Sequence, residues 1–170
     1  MVVPRRCAMT MDESAPERNG PDNGSEALDE ARSRRVALGD AAERVEDLIA
    51  RPASDPDWTT RVAEATDGLL EAFEGHVDEV EGENGLLLQV QTDQPRLSNG
   101  VKRMYAEHVE IRAVLDEVLV LVRRCGGPCD ETVAETIRLA TVDLLRLISR
   151  HRQAGADLVY KAYNVDIGGG

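Results

Sequence analysis

Three histidines, His76, His108 and His151, are the residues of this chain best suited to chemistry, and it has no others. Residues 71–85 read EAFEGHVDEVEGENG and set His76 among six carboxylates. Imidazole and carboxylate together make a ligand set for iron, manganese or zinc. The bland alternative is an acidic, solvated helix face. Spacing weighs against it for the histidines. His76 shares a helical stripe with Val62, Ala65, Leu69, Phe73 and Val80. His108 does so with Val101, Met104, Ile111 and Leu115, and His151 with Leu144, Leu147, Ile148 and Leu158. An imidazole among aliphatic side chains loses hydration and needs a polar partner. One such residue usually means a hydrogen-bonded core histidine. Three of three, each on a different stripe, point to a shared site.

The acids after His76 are not equivalent. Glu79 follows it by three residues and Glu83 by seven, so both share its side of a helix. They are the candidate carboxylate ligands. Asp78 and Glu81 are turned away from His76, and Asp78 reads as solvated surface. Each acid also has the plainer reading of a charged face near a helix end.

Rods must hold these residues. Apolar residues recur at three- and four-residue steps over runs too long for strands. The pattern predicts helices over about 25–50, 55–83, 95–124 and 131–163. Val133 is expected to head the inward stripe of the last. Pro52 and Pro56 break the first pair, with Asp55 as cap and Pro56 in the first helical position. Residues 84–95 read as a short helical turn and a loop. The expected fold class is all-α, an antiparallel up-down-up-down four-helix bundle over 27–168. Residues 1–26, rich in Pro and Gly and poor in apolar side chains, are expected to be a disordered N-terminal tail. With a rise of ~1.5 Å per residue, antiparallel neighbours bring the three histidines to within about a turn of one level.

The totals narrow the function. Hydrophobic residues make up 42% of the chain but aromatic ones only 3%, so Leu, Val, Ala and Ile must fill the core. A net charge of −12 opposes binding to nucleic acid or to an anionic membrane surface. No apolar run is long enough to span a bilayer, and no signal peptide is evident, so a cytoplasmic location is expected.

Beyond these readings, the layout resembles the hemerythrin-like HHE cation-binding domain over about residues 28–168. LLEAFEGHVDEVEGENGLL, PRLSNGVKRMYAEHVEIRAVL and LLRLISRHRQAGADLVYKAYNVDIGG carry the likeness, including Glu107-His108 with Ile111, and Tyr163 with Asp166-Ile167-Gly168-Gly169. The resemblance implies a four-helix bundle holding one or two non-haem irons. It also implies oxygen or nitric oxide binding, redox or iron sensing, or peroxide chemistry. By position His76, His108 and His151 match the family histidines, and Glu79 or Glu83 the acid of the second helix. The chain departs from the pattern where the family places a carboxylate four residues after a histidine. Those positions hold Val80, Arg112 and Gly155, and the first helix has no histidine. The reduced set fits a mononuclear site better than a di-iron one. It also fits a metal-free bundle that serves as a protein-interaction module, in which Arg112 pairs with a carboxylate. Whether the chain is an enzyme is left open.

Three cysteines do not make a disulfide scaffold in a chain this long. Cys125 and Cys129 flank Gly126-Gly127-Pro128 between two helices. The favoured reading is a plain turn, and the alternative is a redox-active thiol pair. Trp58 is expected to cap one end of the bundle. Tyr105, three residues before His108, reads as core.

Overall fold

A helix that is apolar along one stripe is stable only with that stripe against another element. The computed structural model describes residues 22–163; residues 1–21 of the expected 1–26 tail and the closing residues 164–170 lie outside the described residues. Among the described residues every regular element is helical. The elements are α1 (Asp22–Ile49), α2 (Trp58–Glu81), α3 (Leu86–Asp93), α4 (Ser98–Cys125) and α5 (Glu131–Tyr163), with one 3-10 turn over Pro95–Leu97. The long helices α1, α2, α4 and α5 pack into a bundle around Leu38, Val45, Leu69, Phe73, Ile111 and Leu144.

Hydrogen bonds show which helix ends meet. The Trp58 indole N–H donates to the Leu48 carbonyl at 3.0 Å, and the Thr59 hydroxyl to the Gly127 carbonyl at 2.9 Å. Arg138 Nε donates to the Ile49 carbonyl at 3.1 Å, and its guanidinium carbon lies 5.4 Å from the centre of the Trp58 ring. The end of α1, the start of α2 and the α4–α5 turn therefore share one end of the bundle, where Trp58 is buried as its capping residue. The opposite end holds Val80, Leu87, Val90, Val101, Met104 and Leu158 in a second apolar cluster.

Several boundaries differ from the sequence reading. α1 begins at Asp22, a few residues inside the expected tail. A nucleated helix gains one bond per added residue, so its start runs past the last apolar repeat. The three- and four-residue spacing also places Leu28 and Ala31 on the apolar stripe of α1, but their side chains lie outside the described set. α2 starts at Trp58, not at the Asp55-Pro56 pair. Asp55 instead shapes the preceding turn, accepting from the Asp57 N–H at 3.1 Å and from Arg61 at 3.2 Å. At its other end α2 stops at Glu81, two residues early, with Gly82 extended at φ −59°, ψ 174°.

The segment after Gly82 forms α3, a fuller helix than expected. Gly85 makes the tight approach possible. A Cβ there would lie 2.5 Å from the Val80 carbonyl oxygen, closer than any side chain tolerates. On α5 the buried stripe runs through Ala134, Ile137, Thr141, Leu144, Ile148 and His151. Val133 is one residue out of that phase and is 43% exposed, contrary to the expected inward position.

The α4–α5 connection differs too. Gly126 ends α4 in the left-handed region at φ 59°. Cys125 and Cys129 are joined by a disulfide, with Cα atoms 6.0 Å apart. The plain turn is thus a closed one.

Candidate metal centre

His76 lies near the end of α2, His108 in the first half of α4 and His151 in the second half of α5. Because the stripes of these helices face one another, the rings meet inside the bundle. They are 8%, 4% and 3% exposed, respectively. His76 Nε2 is 3.3 Å from His151 Nε2, and His108 Nε2 is 3.1 Å from the same atom. Ring centroids are 4.6–5.5 Å apart, with the rings edge to face. The Phe73 ring stands against His108 at 5.9 Å between centroids and closes one side.

Two carboxylates hold the far nitrogens. Glu81 Oε1 accepts from His108 Nδ1 at 2.5 Å, reaching from α2 to α4. Glu107 Oε2 accepts from His151 Nδ1 at 3.0 Å, reaching from α4 to α5. The other Glu107 oxygen is 3.5 Å from Arg103 Nε. Burial holds His108 well below the ordinary imidazole value, at about 4; the neighbouring His151 adds to the shift and Glu107 opposes it. The His108–Glu81 contact is therefore a neutral imidazole N–H donating to a carboxylate at neutral pH. Burial also raises Glu81; Arg112 opposes that shift and Asp78 reinforces it.

Donor atoms of the three histidines all lie within 4.8 Å of one another, a group that could hold a metal ion. Neither Glu79 nor Glu83 belongs to that group. Glu79 is partly buried on α2 beside the site, whereas Glu83 is exposed. Its expected place on the His76 face required α2 to continue, and the helix ends at Glu81. Arg112 pairs with Glu74, both side chains being about half exposed, so the salt bridge does not plug the interior.

Glu81 and Glu107 are the residues that sequence reasoning passed over. Glu81 faces away from His76 on their common helix, so spacing along α2 does not pick it out. It serves a histidine on the neighbouring helix, for which that orientation is the right one. Glu107 sits within the Glu107-His108 pair, but one helical residue turns it about 100° from His108, toward α5.

A cavity of about 50 Å³ adjoins the rings. Leu86, Leu87 and Val90 of α3, Met104 of α4 and Leu158 of α5 form its apolar walls. No described helix is long and apolar enough to cross a membrane. Comparison with known protein families, curated proteins and solved structures finds no match for this chain.

Proposed function

We propose that the chain is an antiparallel up-down-up-down bundle, a reduced hemerythrin-like domain, that holds one transition-metal ion on His76, His108 and His151. The approach of the His76 and His108 Nε2 atoms to His151 Nε2 inside the bundle carries this reading. Nitrogen ligands ~2.0–2.1 Å from a tetrahedral ion stand roughly 3.4 Å apart. The separations of 3.1 and 3.3 Å are already close to that. The resemblance points to non-haem iron, while the donor chemistry of three neutral imidazoles also suits zinc and copper. Neither Glu79 nor Glu83 is needed.

Three protein donors leave a coordination position for an outside ligand. The apolar cavity beside the rings has room for a diatomic such as oxygen or nitric oxide. Binding or sensing such a ligand is the function this arrangement supports best. The bound ion would supply the affinity for that ligand. The chain's own part is to orient the imidazoles and to exclude bulk water with Phe73, Leu87 and Val90.

Metal analysis of the full chain, purified without a polyhistidine tag, tests the reading. Near-stoichiometric metal is expected, and His108→Ala should remove it. A metal-free preparation that resists reconstitution with iron, zinc and copper would overturn it. The metal-free interaction module, which also accommodates the Arg112–Glu74 pair, would then stand.

A further inference from the structure

We propose that Glu81 and Glu107 are positioning residues that hold His108 and His151 in the Nδ1–H tautomer and turn both Nε2 lone pairs onto one point. The purpose assigned to them rests on the metal reading; the tautomers follow from the hydrogen bonds between ionised carboxylates and neutral rings. An ionised carboxylate has no proton to give. The nitrogens 2.5 Å from Glu81 and 3.0 Å from Glu107 must therefore carry the hydrogens. A neutral imidazole has only one N–H, so the Nε2 of each ring is bare while that ring is neutral.

Two bare nitrogens now face each other at 3.1 Å. While both rings are neutral, neither can donate to the other, and their lone pairs repel unless something positive lies between them. The His76 nitrogen approaches the same atom of His151. A core could relieve this strain by flipping either ring or its tautomer, and the two carboxylates prevent that. They are 29% and 21% exposed, so their hold is only partly screened by water.

The same residues balance charge. Two carboxylates one imidazole removed from a divalent ion offset its charge without touching it. They also raise the basicity of the nitrogens that do. The site thus becomes an all-nitrogen one whose acids stand in the second layer, where a sequence scan for ligand carboxylates does not look. Each acid lies on a different helix from the ring it holds, so the alignment also depends on the α2–α4 and α4–α5 packing.

Long-range ¹⁵N–¹H correlation spectra of the metal-free full chain read the tautomers directly, and titration with Co²⁺, followed by its visible absorption, reads the site. In the unmodified chain both rings should show Nδ1–H. Glu81→Ala should move the His108 proton toward Nε2 and weaken Co²⁺ binding roughly 10–100-fold. Glu107→Ala should do the same through His151. Glu81→Gln and Glu107→Gln retain an acceptor oxygen and guard against misfolded alanine variants. They should keep the tautomers and lose less than about tenfold in affinity.

Alanine variants that keep Nδ1–H and bind Co²⁺ as the unmodified chain does would overturn the proposal. So would an unmodified chain that binds Co²⁺ with Nε2–H rings, although the metal reading would survive. Nδ1–H rings in a chain that binds no Co²⁺ would support the tautomer assignment and remove the metal reading instead.

Discussion

Glu107 accepts the Nδ1 proton of His151 at 3.0 Å across the α4–α5 interface, although its neighbour in the chain is His108. Adjacent residues on one helix thus serve different rings: His108 turns into the centre, and Glu107 steadies the ring opposite. Glu81 does for His108 what Glu107 does for His151. The histidines and acids form a relay around the bundle axis, from α2 to α4 to α5.

His151 occupies the middle of the cluster, since its Nε2 is the atom both other rings approach. An ion that binds only the folded chain stabilises it by about 2.7 kcal/mol at 100 times its dissociation constant. Thermal unfolding with and without added Zn²⁺ should show that gain in the unmodified chain and none in His151→Ala. An equal gain in both proteins would place the ion elsewhere.

Acid should weaken the metal-free protein through His108. Its folded value of about 4 lies below the ordinary 6.5, so the unfolded chain takes up the proton first. The stability from keeping this imidazole neutral is full above about pH 6.5, falls as the pH drops through that value, and levels off near pH 4. The loss from this residue alone is up to about 3 kcal/mol. Glu81, shifted upward, acts in the opposite sense at the acid end. An NMR titration of the His108 ring should give a midpoint near 4; a midpoint at the ordinary value would refute the account.

Phe73 is fully buried and stands edge-on to His108. Phe73→Ala should cost about 3–5 kcal/mol of stability, and Phe73→Leu less than about 2 kcal/mol. Urea unfolding measures both. An alanine variant within about 1 kcal/mol of the unmodified chain would mean that the ring does not pack as described.

The disulfide can be counted. The chain has three cysteines, and the Cys125–Cys129 bond occupies two. A thiol assay on denatured, unreduced protein should find two fewer reactive groups than after reduction. Such a bond is uncommon in reducing compartments, which sets it against the expected cytoplasmic location. Equal counts before and after reduction would restore the plain turn.

The histidines are legible in the sequence because helical period alone fixes which face a residue occupies. Once four runs share that period, inward positions at similar depth are bound to meet. The same rule finds Leu38, Phe73, Ile111 and Leu144. It fails at the ends. Glu83 depends on where α2 stops, which Gly82 and the Gly85 contact decide. Val133 depends on a phase set by Ala134 and Ile137. Glu81 and Glu107 are illegible for another reason: their partners lie on other helices, and a reading along one helix cannot show what a side chain meets across the gap.

Glu81 is the last residue of α2 as well as the acceptor for the His108 ring. Helix termini fray most readily, so each opening of that final turn would also release the imidazole. Amide hydrogen exchange over residues 77–81 would then track how firmly the ring is seated, and an occupant of the centre would slow it from a distance.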